Sequence, residues 1–146
     1  MKNLILLLLT IIATGCATSL QNDSKDIVIE YSAITRGRNM NILVRQGSVS
    51  TTSTVGSKAT TTAIVSAAQW NDVIAALDKV NLDKISGLKP PSDKRAYDGA
   101  LIGNLKVTVK DKIYESSSFD HGNPPAEIAE VVNKVIALST PDNKEE

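Results

Sequence analysis

The sequence predicts an α+β fold: a mainly antiparallel sheet with two helices packed on one face, following a signal peptide. Three observations lead there. Apolar and polar residues alternate at period two in several short runs, the pattern of half-buried strands. Two longer stretches carry apolar residues at helical spacing. The runs come in the order strands, helix, hairpin, helix, without the regular strand–helix alternation of a parallel sheet.

Ile27 to Ile34 opens the domain as a strand, with Ile27, Ile29, Tyr31 and Ala33 on one face. Gly37 turns the chain between Arg36 and Arg38, a solvated hairpin tip. Met40, Ile42 and Val44 then alternate through a second strand up to the Gln46-Gly47 turn. From Ser48 to Thr62, ten of fifteen residues are Ser or Thr. β-Branching suits threonine to a pleated strand, but a strand polar on both faces has a weakly specified register. One or two strands broken at Gly56 are expected, placed at a sheet edge.

Ser66-Ala67-Ala68-Gln69 has the form of a capping box, and Trp70, Val73, Ile74 and Leu77 follow on one helical stripe over 67–80. Trp70 is assigned to the core. Gly87, Pro90 and Pro91 break the chain into a loop that runs to Gly99. Leu101, Leu105, Val107 and Val109 form a further strand, Asp111-Lys112 a turn, and Ile113 to Phe119 a return strand. Asn123-Pro124-Pro125 begins the last helix, with Asn123 as its cap and prolines where missing amides cost nothing. Ile128, Val131, Val132, Val135 and Leu138 make its apolar face, and Glu130 and Lys134 pair on the outside.

The chain has 146 residues, 16 basic and 16 acidic. A nucleic-acid binder needs a basic face to displace counterions, so no nucleic-acid partner is expected. One cysteine rules out an internal disulfide and any multi-cysteine zinc site. No cofactor is expected, because no phosphate-binding glycine loop or dinucleotide fingerprint occurs.

The N-terminus reads as an address. Lys2 gives a positive start, Leu4 to Ala13 an apolar run too short to stay as a spanning helix, and Thr14-Gly15 small residues before Cys16. Ala13-Thr14-Gly15-Cys16 resembles the bacterial lipobox. That resemblance implies removal of residues 1–15 and lipid on Cys16, leaving a polar tether over 16–26, one domain over 27–139 and a tail over 140–146. By the same resemblance, Ala17, where aspartate would signal inner-membrane retention, points to the outer membrane; the side facing the periplasm is the expected location, though Ala17 does not decide the face. Downstream, Ile29-Glu30-Tyr31-Ser32, Trp70-Asn71-Asp72, the loop Pro90 to Arg95, Tyr97-Asp98-Gly99-Ala100 and the stretch Ser118 to Pro125 resemble a group of small uncharacterised bacterial lipoproteins. The resemblance implies an envelope protein and carries over no catalytic residue.

The densest polar cluster is Ser116-Ser117-Ser118, Asp120, His121 and Asn123, with Asp98 in a separate loop able to approach it. Ser118, His121 and Asp98 supply the residue types of a hydrolase triad, but Gly-x-Ser-x-Gly is missing. Asp98, Asp120, His121 and Asn123 are mixed donors that suit a divalent ion. The plainer expectation is that Asp120 and Asn123 cap the last helix, Gly122 permits the turn, and His121 is a partly exposed loop residue. No catalytic residue is assigned.

Three functional readings follow. The first is a lipid-anchored, non-enzymatic domain that binds a protein or other envelope component along the 48–62 edge. The second is an inhibitor or accessory subunit docking by loops 87–99 and 120–125. The third is a small metal-binding protein or hydrolase using Asp98, Asp120 and His121.

Overall fold

A computed structural model describes residues 20–54 and 58–140. The signal peptide, Cys16, the break at Gly56 and the tail from 141 onward lie outside the described residues.

The architecture is the expected α+β one. Seven strands form one antiparallel sheet in the order β4-β3-β2-β1-β5-β6, with β7 paired to β5. The strands are β1 (Ile27–Thr35), β2 (Arg38–Arg45), β3 (Ser48–Ser53), β4 (Ala59–Ile64), β5 (Ile102–Val109), β6 (Lys112–Glu115) and β7 (Phe119–Asp120). The helices are α1 (Ala67–Leu77) and α2 (Ala126–Ser139). β1 to β4 are consecutive neighbours, and two-residue turns set the register of β1 on β2 and of β2 on β3. Gly37 and Gly47 take φ values of 76° and 85° in those turns, a region that costs glycine nothing.

Period-two alternation does what it predicts. Ile27, Ile29, Tyr31 and Ala33 of β1, Ile42 and Val44 of β2, Val49 of β3, and Leu105 and Val107 of β5 are buried beneath the helices. Their sequence neighbours, such as Val28, Glu30, Ser32, Leu43 and Lys106, point to the opposite sheet face and are partly exposed. α1 starts on the complete capping box, with the Gln69 amide donating to Ser66 Oγ and the Ser66 amide to Gln69 Oε1. Trp70, Val73, Ile74 and Leu77 enter the core with Ile128, Val131, Val132 and Val135 of α2.

Four local expectations give way. Residues 20–26, expected to belong to a tether with nothing to bury, form a 3-10 helix. Leu20 packs on the core, and its amide donates to Asp78 at 2.9 Å. The return strand stops at Glu115, because the Ser116 hydroxyl takes the Leu105 amide at 3.0 Å and so displaces the ladder there. Glu130 pairs with Lys79 of the α1 C-terminal turn at 2.9 Å, not with Lys134, which lies 3.9 Å from Asp72 of α1. These charges tie helix to helix instead of bracing one helix. Finally, α2 begins after Pro125, with no side-chain cap at all.

Candidate functional site

The structure brings only part of the cluster singled out by the sequence together, around a buried Asp120. β7 places Asp120 beside β5, where Ile102 pairs with Asp120 and Gly103 with Phe119. The Asp120 carboxylate is 2% exposed and fully engaged. Oδ2 accepts from the Ser92 hydroxyl at 2.5 Å and from the Lys94 amide at 2.8 Å. Oδ1 accepts from the Arg95 amide at 2.9 Å and from the Arg95 guanidinium at 3.2 Å. Burial alone would raise this carboxyl. The bonds from Ser92, the two amides and the Arg95 guanidinium outweigh it and hold Asp120 well below the usual carboxylate range.

Asp120 is therefore a cap, but not of its own helix. It satisfies the first amides of the short 3-10 turn Lys94–Tyr97, which lies more than twenty residues upstream. Asn123 does not cap α2 either. Its side-chain amide donates to Ser92 Oγ at 2.8 Å, and its backbone amide to Asp120 O at 2.8 Å. Ser92 thus donates to the aspartate and accepts from the asparagine. Ser92, Asp120 and Asn123 close a ring of hydrogen bonds that ties the 92–97 segment to the end of β7.

His121 is half-buried. Its Nδ1 lies 2.7 Å from the Tyr31 hydroxyl, with the two rings 5.9 Å apart. Burial pushes the Tyr31 hydroxyl well above the ordinary phenol range, so it stays protonated and available to the imidazole. Phe119 packs on Tyr31 with ring centroids 6.2 Å apart. Gly103 lets both rings come close: a Cβ there would lie 2.8 Å from Phe119 and 3.1 Å from the Tyr31 hydroxyl.

Asp98 stays outside this cluster. It ends the 3-10 turn in a left-handed conformation, φ 59°, and its side chain is exposed. Ser118 is exposed and makes no bond with His121, so Ser118, His121 and Asp98 form no triad. Among the described residues, no group of three or more His, Cys, Asp or Glu side chains is placed to hold a metal ion. The partners missed in the sequence are Ser92, Arg95 and Tyr31. Nothing local in the sequence marks these partners, because Ser92 and Arg95 lie more than twenty residues from Asp120, and Tyr31 lies ninety residues from His121.

The other candidate surface is the Ser/Thr-rich segment. It forms two strands as expected, and β4 is the outermost strand of the sheet, exposed at all six positions. Thr52 and Thr60 bond through their hydroxyls at 3.0 Å across the β3–β4 pair. The opposite edge is guarded. β6 has only four residues, begins and ends on charge, and Lys112 is bonded to Asp83 at 2.9 Å in the 3-10 helix Leu82–Gly87 packed against it. No helix among the described residues is long and apolar enough to cross a membrane. No protein-family model matches the chain, and a comparison with curated proteins finds none similar to it.

Proposed function

We propose that this chain is a lipid-anchored bacterial envelope protein, held by lipid on Cys16, whose domain acts by binding and not by catalysis. The working surface is the free edge of β4, which accepts an extended segment of a partner as an added strand. The observation that carries this reading is the asymmetry of the two sheet edges. β6 is short, begins and ends on charge, and has the 3-10 helix Leu82–Gly87 packed beside it, devices that guard an edge against pairing. β4 is longer, uncharged from Ala59 to Ile64, and exposed at all six positions, with no strand beyond it among the described residues. Main-chain bonds along such an edge supply affinity without any deep pocket.

A second reading draws on the loops. The segments 92–97 and 120–123 are locked together through Asp120, and Tyr97 stands 72% exposed on them. A rigid loop pair carrying an exposed aromatic suits docking onto an enzyme as an inhibitor or accessory subunit.

Two measurements test the main reading. Cys16→Ser should leave the membrane fraction after a high-salt wash, whereas the parent stays; a serine variant that still sediments removes the anchor. Amide hydrogen exchange should slow along 59–64 when solubilised envelope extract is added. Exchange that slows in the loops instead would favour the second reading, and unchanged exchange everywhere would reject both.

A further inference from the structure

The residues of β4 say what kind of strand fits it best. From Ala59 to Ala63 the sequence is Ala-Thr-Thr-Thr-Ala, the same in both directions. Two such strands laid antiparallel about a two-fold axis at Thr61 set Ala59 opposite Ala63, Thr60 opposite Thr62, and Thr61 opposite itself. A self-complementary patch of this kind is what an isologous dimer requires.

The register also keeps the faces of the sheet. Side chains alternate along a strand, so Thr60, Thr62 and Ile64 lie on the open face, beside Thr52, Ser50 and Ser48 of β3. Ala59, Thr61 and Ala63 lie on the helix side, beside Ser53, Thr51 and the buried Val49. Centring on Thr61 pairs open-face residues only with open-face residues. It also continues the threonine pairing already present in the β3–β4 ladder, where Thr52 meets Thr60 and Thr51 meets Thr61. Cross-strand threonine pairs are favourable, and like charges directly opposite are not. Lys58, next to the strand, would face Ile64 of the other copy and not Lys58. Ile64 is 88% exposed, and the alkyl stem of a lysine can cover it.

The helix side is prepared in the same way. Between β3–β4 and the last turn of α2 runs a groove of about 220 Å³, lined by Val49, Thr51, Thr61, Ala63 and Leu138. It reaches the edge at Thr61, so a two-fold there would join the grooves of two copies into one apolar trough.

From this we infer that the strand β4 accepts is β4 of a second copy, paired antiparallel about Thr61 to make one continuous sheet through both protomers. The inference rests on the reading of β4 as the binding edge and adds the identity of the partner.

The test uses the lipidated protein in detergent, where the thioether on Cys16, the single cysteine, leaves an introduced thiol the only free one. The parent should scatter light at twice the monomer mass. Under mild oxidation Thr61→Cys should cross-link to itself. Thr60→Cys and Thr62→Cys should each cross-link weakly alone and strongly when mixed, because only the mixture sets the two thiols opposite. Thr61→Lys, which opposes two like charges at an exposed edge position, should run at monomer mass with unchanged circular dichroism. A parent at monomer mass with no Thr61→Cys adduct overturns the inference. So does cross-linking at Ile113→Cys on the other edge as strong as at Thr61→Cys. If the protein is monomeric yet β4 amides are protected by envelope extract, self-pairing is wrong and the strand-accepting edge stands.

Discussion

Replacing Gly103 with alanine puts a methyl group where the structure has none to spare. The new Cβ would lie 2.8 Å from Phe119 Cε2 and 3.1 Å from both Phe119 Cδ2 and the Tyr31 hydroxyl oxygen. Both rings are fully buried, and the Tyr31 hydroxyl is fixed by its 2.7 Å contact with His121, so neither moves without disturbing the core. Overpacking of this kind costs about 1–3 kcal/mol. Gly103 does not have positive φ, so alanine also restricts the unfolded chain, which returns about 0.4–1 kcal/mol. The balance is a loss of roughly 1–2 kcal/mol. Urea unfolding should show a lower midpoint at unchanged slope. Phe119→Leu removes the clashing ring atoms, so Gly103→Ala should cost measurably less in that background, a coupling that a double-mutant cycle reads directly. An alanine variant as stable as the parent, or additive with Phe119→Leu, would mean that the Tyr31–Phe119–His121 packing does not depend on a bare strand position.

Other outcomes follow from the same structure. Trp70, 1% exposed within the core, should cost about 3–5 kcal/mol when changed to alanine, read by thermal or urea melting. Tyr31→Phe should cost about 0.5–1.5 kcal/mol by losing the bond to His121. Asp120 has a folded-state pKa held below its unfolded value, so its contribution is complete above about pH 4 and is lost as pH falls toward the folded value. Stability of the parent should therefore decline on acidification, whereas Asp120→Asn, less stable at pH 7, should converge with it. Glu30 leaves a smaller slope of the same sign, because its bond to Lys106 lowers its pKa against the opposing effect of burial. A pH profile of Asp120→Asn parallel to the parent's would show that Asp120 is not the group titrating.

Several features were legible in the chain because neighbours in sequence decide them. Alternation at period two placed Ile27, Ile29, Tyr31 and Ala33 on the buried face of β1, since a pleated backbone gives no other choice. The Ser66–Gln69 capping box needs only one helical turn, and it forms as read. The run of threonines at 48–62 gave two strands at an edge, because its β-branched residues favour extended backbone and it offers little to bury. Composition and helical spacing likewise put Trp70 inside.

The tertiary structure decided what polar side chains bond to. Asn123 stands before two prolines and a helix, a local setting that favours capping, yet its amide serves Ser92, 31 residues away. Asp120 is a cap as its type suggests, but the amides it satisfies belong to a turn brought near only when β7 pairs with β5. Glu130 could reach Lys134 in an isolated helix; packing of α2 on α1 offers Lys79 instead. Ser116 ends a strand that alternation alone would continue, because its hydroxyl competes for a backbone amide of the facing strand. Apolar burial is governed by periodicity, a local property of the chain. A hydrogen bond is governed by which groups meet within about 3 Å, and that distance exists only once the fold does.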